Sequence, residues 1–219
     1  MKIKSLLLPH SCSLNVSKWI AQLLFQLGPK AKILDLGSGS RRLSESAINL
    51  DIEVKDEVDI IANAMALPFK SGSFDCVIVQ AVLEHVCEPS SVIAEIKRVL
   101  KNNGYVYAEV PFIYPYHPAP EDYWRFTLKG IRYIFKDFQH LDSGICVGPT
   151  CALWSILKEY IPILISIPII RAILYRIVGL VSIVFSYLDI LMVRSKKAHV
   201  IASGLYFCGV KSNMSDFSR

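Results

Sequence analysis

Five short runs of near-continuous apolar residues divide the first half of the chain, at residues 32–36, 47–51, 58–62, 74–80 and 104–110. A strand that is apolar on both faces must be covered on both faces, which is the condition of a parallel sheet packed between helices. Amphipathic segments stand where those helices are needed. Val16, Ile20, Leu23, Leu24 and Leu27 recur at helical spacing, with Asn15 placed to cap the start and Gly28-Pro29 to end the run. A helix starting near Ser90 or Ser91 carries Val92, Ile93, Ile96, Val99 and Leu100 inward, and Asn102-Asn103-Gly104 stops it. The fold class is α/β. Only about eight residues separate the first turn from the second strand, fewer than the dozen or so of a helical crossover. The first crossover is therefore a turn or a very short helix.

The remaining composition sharpens this reading. A chain that is 53% hydrophobic, with mean hydropathy +0.39, is neither disordered nor a nucleic-acid-binding tail. Its net charge of +5 is unevenly placed: residues 1–150 hold 16 basic and 16 acidic residues, residues 151–219 hold 8 and 3. Six cysteines (Cys12, Cys76, Cys87, Cys146, Cys151, Cys208) include no CxxC pair, and no Cys/His spacing resembles a zinc site, so no metal is expected. After Lys2 and Lys4 comes only Leu6-Leu7-Leu8 before Pro9, too short for a secretory leader. Reduced thiols on the cytoplasmic side follow as the expectation.

In an open parallel sheet, ligands bind beyond the carboxyl ends of the strands, where the strand order reverses. Gly37 and Gly39 follow the first strand, Asp51 ends the second and Asn63-Ala64-Met65 follows the third. Glycines let the backbone approach a ligand closely. A carboxylate can accept from both hydroxyls of a ribose, and an amide with a thioether can meet a purine. A dinucleotide fingerprint would need glycine where Arg42 stands, and a Walker loop is absent.

Five ordered segments carry a family likeness: Ile33-Leu34-Asp35-Leu36-Gly37-Ser38-Gly39, Asn49-Leu50-Asp51, Ala64-Met65-Ala66-Leu67-Pro68-Phe69, Ser73-Phe74-Asp75-Cys76-Val77 through Leu83-Glu84-His85-Val86, and Lys97-Arg98-Val99-Leu100-Lys101 before Gly104. In these the chain resembles the class I S-adenosylmethionine-dependent methyltransferases, of the methyltransferase type 11 kind related to ubiquinone-type and cell-surface-glycan enzymes. The resemblance implies a Rossmann-like, mostly parallel seven-stranded sheet with an antiparallel last strand. It implies that Gly37 and Gly39 border the methionine part of S-adenosylmethionine, with Asp35 and Ser38 in the same turn. Asp51 would hold the ribose, Asn63, Ala64 and Met65 would meet the adenine, and Gln80 would line the methyl-transfer side. The chain departs from the family at Arg41, where glycine is usual, and at Asn63, where an acid is usual. His85, Glu84 and His117 are the candidate catalytic residues, with Asp122 beside them, because a hydroxyl acceptor gains from a base.

Two further segments remain. Residues 112–126 pack six aromatics among three prolines, a rigid loop that either walls the acceptor pocket or is anchored by Trp124 and Phe126 with Arg125 on a carboxylate. Its Asp122-Tyr123-Trp124-Arg125-Phe126-Thr127 string resembles one in methyltransferases of bacterial polysaccharide clusters. Residues 151–197 form a hydrophobic helical insertion between the last two strands of a domain made of residues 1–150 and 198–212. Its longest uncharged runs, Tyr160–Ile170 and Ile177–Leu188, fall short of the roughly twenty residues of a spanning helix. Interfacial helices on an anionic membrane surface are expected, with a pocket cap or a dimerisation surface as the other reading. The expected function is O-methylation of a sugar or lipid-linked glycan at the inner face of the membrane. Methylation of a quinone or isoprenoid lipid, or an inactive membrane-anchoring module, are the alternatives; a nucleic-acid partner is not expected.

Overall fold

The computed structural model describes residues 14–212; the leading segment read for a leader sequence, with Lys2, Lys4 and Cys12, lies outside them. Seven strands form one sheet: β1 (Ile33–Leu36), β2 (Ala47–Asp51), β3 (Ile60–Ile61), β4 (Phe74–Gln80), β5 (Leu100–Pro111), β6 (Gln139–Val147) and β7 (Gly204–Val210). Their spatial order is β3-β2-β1-β4-β5-β7-β6. Strand β7 runs antiparallel to both neighbours, and every other pairing is parallel. The mostly parallel α/β sheet with an antiparallel last strand is the expected one. Strand order reverses between β1 and β4, so the carboxyl ends of β1, β2 and β4 surround a crevice.

The apolar runs are covered on both sides. Helices α1 (Leu14–Leu27), α2 (Pro89–Val99) and α3 (Leu128–Ile134) flank the sheet. Ile20 and Leu23 of α1 pack on Ile33, Cys76, Ile78 and Tyr107. On the opposite face, Val92, Ile93 and Ile96 of α2, with Ile131 of α3, pack on Leu34, Val77, Val79 and Phe207. Each such side chain removed from water contributes about 1.5–3 kcal/mol. Between β1 and β2 there is no helix, as the short spacing requires. Asn15 lies inside α1 rather than capping it. Helix α2 starts one residue early, at Pro89, because a first-turn proline gives up an N–H that would have no partner anyway. Asn102-Asn103-Gly104 is not the end of that helix but a bulge within β5: Phe74 pairs with Leu100 and Cys76 with Tyr105.

Between β6 and β7 the chain leaves the sheet as α4 (Pro149–Ile163), α5 (Pro168–Ser186) and α6 (Asp189–Met192). Pro168 opens α5, a first-turn position that proline tolerates, and Pro162 lies inside α4 one residue before its end. Asp189 closes the base of this excursion. Fully buried, it accepts the N–H groups of Thr150 (2.7 Å) and Cys151 (3.1 Å) at the first turn of α4. A side chain at Gly148 would collide with it, at 2.2 Å from Asp189 Cγ. The far faces of the helices stay apolar and uncovered: Ile163, Ile169, Leu180 and Leu191 are 63–78% exposed. No described helix is long and apolar enough to cross a membrane.

Removing the carboxylate orphans two buried N–H groups at a helix start. Asp189→Ala is expected to cost about 1–2 kcal/mol and to speed limited proteolysis within 150–195. Cleavage at the rate of the parent would show that the cap does not hold the insertion.

Candidate active site

The crevice is built on one tight approach of backbone to side chain. Gly37, directly after β1, adopts φ +71°, and its N–H donates to Leu50 O (2.7 Å). A Cβ there would lie 2.1 Å from Val82 Cγ2, so only glycine lets the β1 turn and the segment after β4 come together. Gly39, at φ +58°, has open space where a Cβ would sit. Its N–H donates to Asp51 Oδ2 (2.8 Å), which ties the turn to the end of β2. The other oxygen of Asp51 accepts from Glu53 N (3.0 Å) and lies 3.6 Å from Lys55 Nζ. These groups border a cavity of about 250 Å³ whose wall also includes Asn63, Ala64 and His85, with Pro120 across from the turn.

Not every expected ligand residue reaches that cavity. Gly37, Gly39, Asp51, Asn63 and Ala64 line it. Asp35 does not: it is fully buried, and both of its oxygens accept from Arg41 Nη2 at 3.0 and 3.1 Å. Burial raises its carboxyl above the usual range even against the neighbouring guanidinium. Arg41, the residue where the family has glycine, is thus folded onto Asp35 rather than into the cavity. Ser38 is buried, its N–H spent on Leu50 O. Met65 packs against the core. Its N–H donates to Asn63 Oδ1 (2.9 Å), so the Asn63 oxygen closes a local turn as well as facing the cavity. Gln80 is absent from both walls. It turns toward Glu109, and its Oε1 is buried with no partner.

A second cavity of about 380 Å³ adjoins the first at Ala81, a non-glycine residue at φ +54°. Glu84, Glu109 and His117 face it. Glu84 is 1% exposed, and burial pushes its carboxyl up to about 7. Burial also raises Glu109, whose Oε1 accepts from Tyr107 Oη (2.9 Å). Glu109 was missed in the sequence, although an acid inside the apolar run of β5 was the available signal. Glu84 Oε1 lies 3.8 Å from His85 Nε2 and 4.0 Å from His117 Nε2. Both imidazoles are held from behind: His85 Nδ1 is 2.5 Å from Glu121 O, and His117 Nδ1 is 3.1 Å from Pro115 O and 3.3 Å from Asp122 Oδ2. Burial lowers the His117 pKa.

The aromatic loop both anchors itself and walls the cavity. Arg125 grips Asp122 with two nitrogens (2.5 and 2.7 Å), which holds that carboxyl far below its usual range, and it also donates to Tyr114 O and Pro115 O. Trp124 Nε1 donates to Val86 O (2.9 Å), and Phe126 is buried. Tyr114 and His117 then face the second cavity. Beyond them a further cavity of about 440 Å³ lies between this loop and the insertion, where Tyr116 meets Trp154 and Tyr175.

Both the sequence and the fold have counterparts among known proteins. A sequence-family model for a methyltransferase domain matches residues 19–108, from α1 into β5. The demethylmenaquinone methyltransferase of Lactococcus lactis is 31% identical over 134 residues, 58% of this chain and 53% of that protein. The ubiquinone/menaquinone biosynthesis C-methyltransferase of Hahella chejuensis is 32% identical over 81 residues, 36% of this chain and 32% of that protein. The chain thus spans about half the length of the first relative and about a third of the second. Among solved structures, the Burkholderia thailandensis 1,6-didemethyltoxoflavin-N1-methyltransferase, with 1,6-didemethyltoxoflavin and S-adenosylhomocysteine bound, matches with TM-score 0.57. At 16% identity over 92% of this chain and 80% of that one, the likeness is one of fold.

The Gly37 contact can be tested by paired substitution. Gly37→Ala suffers both the Val82 clash and the left-handed φ, together about 2–4 kcal/mol. Adding Val82→Ala should restore the part due to the clash and leave the backbone part. Equal melting temperatures for Gly37→Ala and the parent would refute the close approach.

Proposed function

We propose that the protein transfers a methyl group from S-adenosylmethionine to an oxygen of a sugar or lipid-linked glycan at a membrane surface. The observation that carries this reading is the meeting of two cavities at Ala81, one bordered by the glycine turn and Asp51, the other by Glu84 and His117. The bound cofactor supplies an electrophilic methyl on a sulfonium. The residues present suit it: the open side of Gly39 admits ligand backbone-close, the lone pairs of Asp51 that remain can take ribose hydroxyls, and Asn63 and Ala64 border the adenine end. Asp35 and Gln80 act one step removed, Asp35 by holding Arg41 and Gln80 by facing Glu109.

Methyl transfer from sulfur is an in-line displacement, so aligning the acceptor oxygen, the methyl and the sulfur does most of the work. His117, oriented by Pro115 and Asp122, and Glu84 border the acceptor side, and the proton of an acceptor hydroxyl is removed at that cluster. His85 stands on the wall of the cofactor cavity and joins the same cluster. Aromatic residues of the loop and insertion, Tyr114, Tyr116, Trp154 and Tyr175, extend the acceptor side with flat faces suited to sugar rings. The quinone and isoprenoid reading has support of its own, from the two quinone-pathway relatives and the uncovered apolar face of α4 and α5.

That face also supports membrane attachment. Ile169, Ile173, Ile177 and Leu180 are exposed on α5, and Arg171, Arg176, Arg194, Lys196 and Lys197 stand on or near it. Apolar side chains in the acyl region with basic groups among anionic headgroups is the pattern of an interfacial helix.

Two measurements test the proposal. Calorimetry with S-adenosylmethionine and S-adenosylhomocysteine should give binding to the parent, weakened at least about tenfold, or about 1.4 kcal/mol, in Asp51→Ala. No heat from either ligand would instead favour an inactive anchoring module. Separately, the parent should sediment with anionic phosphatidylglycerol vesicles, while the triple variant Ile169→Asp, Ile173→Asp, Leu180→Asp stays in the supernatant. Equal sedimentation of the two proteins would reject the interfacial helices.

A further inference from the structure

Three acceptor atoms converge at the junction of the two cavities with no donor between them. Each imidazole points its Nδ1 at a backbone carbonyl, Glu121 O for His85 and Pro115 O for His117. A carbonyl only accepts, so Nδ1 carries the proton and each Nε2 presents a bare lone pair. Both lone pairs face the carboxylate of Glu84, at 3.8 and 4.0 Å, and all three ligand atoms lie within 4.8 Å of one another. Glu84 is 1% exposed, and its Oε2 has no partner among the described residues. Arg125, the nearest strong donor, is committed to Asp122 and to the carbonyls of Tyr114, Trp124 and Pro115, and its contact with His117, at 3.4 Å, is to Nδ1 rather than to Nε2. Two lone pairs turned toward a buried carboxyl group repel it unless a proton or a cation lies between them, and one proton can serve only one of the two imidazoles.

We infer that Glu84, His85 and His117 bind a divalent cation of the zinc type at the point where cofactor and acceptor cavities meet. Two imidazole nitrogens and one carboxylate oxygen form a donor set that zinc accepts, with a fourth position left for an oxygen ligand. Bonds of about 2.0–2.2 Å set neighbouring donors roughly 3.3 Å apart. Closing spacings of 3.8 and 4.0 Å to Glu84, and of up to 4.8 Å within the group, requires approaches of about 0.5–1.5 Å, available to His117, whose side chain is 33% exposed. The surroundings already have the second layer such sites use, in which the other ring nitrogen of each histidine donates to a carbonyl or carboxylate. Asp122, itself locked by Arg125, supplies the carboxylate behind His117. The sequence offered no such site because its ligands are an adjacent pair and a loop residue 32 positions further on, not a repeated Cys/His spacing.

This inference rests on the proposed methyl transfer only for what the metal does. An acceptor hydroxyl at the open position would be acidified and shed its proton to water in the acceptor cavity. The oxygen lone pair then forms the O–CH3 bond as the C–S bond breaks and its electron pair returns to sulfur, leaving a neutral thioether.

Metal binding is measured without any acceptor. Zinc is titrated against a colorimetric chelator in a Cys87→Ser background, which removes an exposed thiol close to His85. Cobalt substitution is read by visible absorption. One equivalent of zinc and the intense bands of four-coordinate cobalt are expected, with affinity falling at least about tenfold in His117→Gln and in Glu84→Gln. Circular dichroism confirms that each variant is folded, and His85→Gln serves where one is not. Absence of zinc uptake by the parent, or uptake unchanged in the variants, would overturn the assignment. Zinc uptake together with silent calorimetry for S-adenosylmethionine would leave the metal site standing and remove the methyl-transfer reading instead.

Discussion

The contact of Gly37 with Val82 governs the geometry of everything above the sheet. Strands β1 and β4 are neighbours, so the turn after one and the segment after the other compete for the same space. A missing Cβ resolves that competition and lets the Val82 methyl fill the position. The β1 turn is then free to reach β2 through the bond from Gly39 to Asp51. The segment after β4 is pressed into a ridge of Ala81, Val82, Glu84 and His85. That ridge separates the two cavities, and its polar groups are held where both can be served.

Charge is managed around this ridge by pairing buried carboxylates with specific donors. Asp35 takes Arg41, Asp122 takes Arg125, and Asp189 takes two N–H groups at the start of α4. Each pairing fixes a segment rather than adding much net stability, because desolvation offsets most of the attraction. Arg41 closes the first turn from outside, Arg125 pins the aromatic loop, and Asp189 holds the base of the insertion. Glu84 and Glu109 are the exceptions near the cavities. Burial raises both carboxyls without a full counter-charge, and a strained electrostatic position of this kind belongs with chemistry more than with stability.

The insertion walls a cavity on one side and presents an apolar face on the other. Its residues Trp154 and Tyr175 line that cavity together with Tyr114 and Tyr116 of the loop, while its outer residues are uncovered. The methyltransferase-domain model itself matches only residues 19–108, ahead of this part of the chain.

The sequence by itself determined the sheet and the placement of Gly37, Gly39 and Asp51 at the mouth of its crevice. Runs such as Cys76–Val79, apolar without alternation, can only be buried on both faces, and Gly37, Gly39 and Asp51 follow strands at fixed offsets. Those are local properties, legible from periodicity and position. It did not show that Asp35, Ser38, Met65 and Gln80 lie off the cavity wall, because whether a side chain near a strand end faces a cavity or a neighbour depends on partners distant in the chain. Arg41 claims Asp35, and Glu109, from a strand about thirty residues on, draws Gln80 aside. Only the tertiary structure decided that Glu84, His85 and His117 share one point. Their approach depends on a loop crossing back over β4 and pinned by Arg125, a long-range closure that no spacing along the chain records.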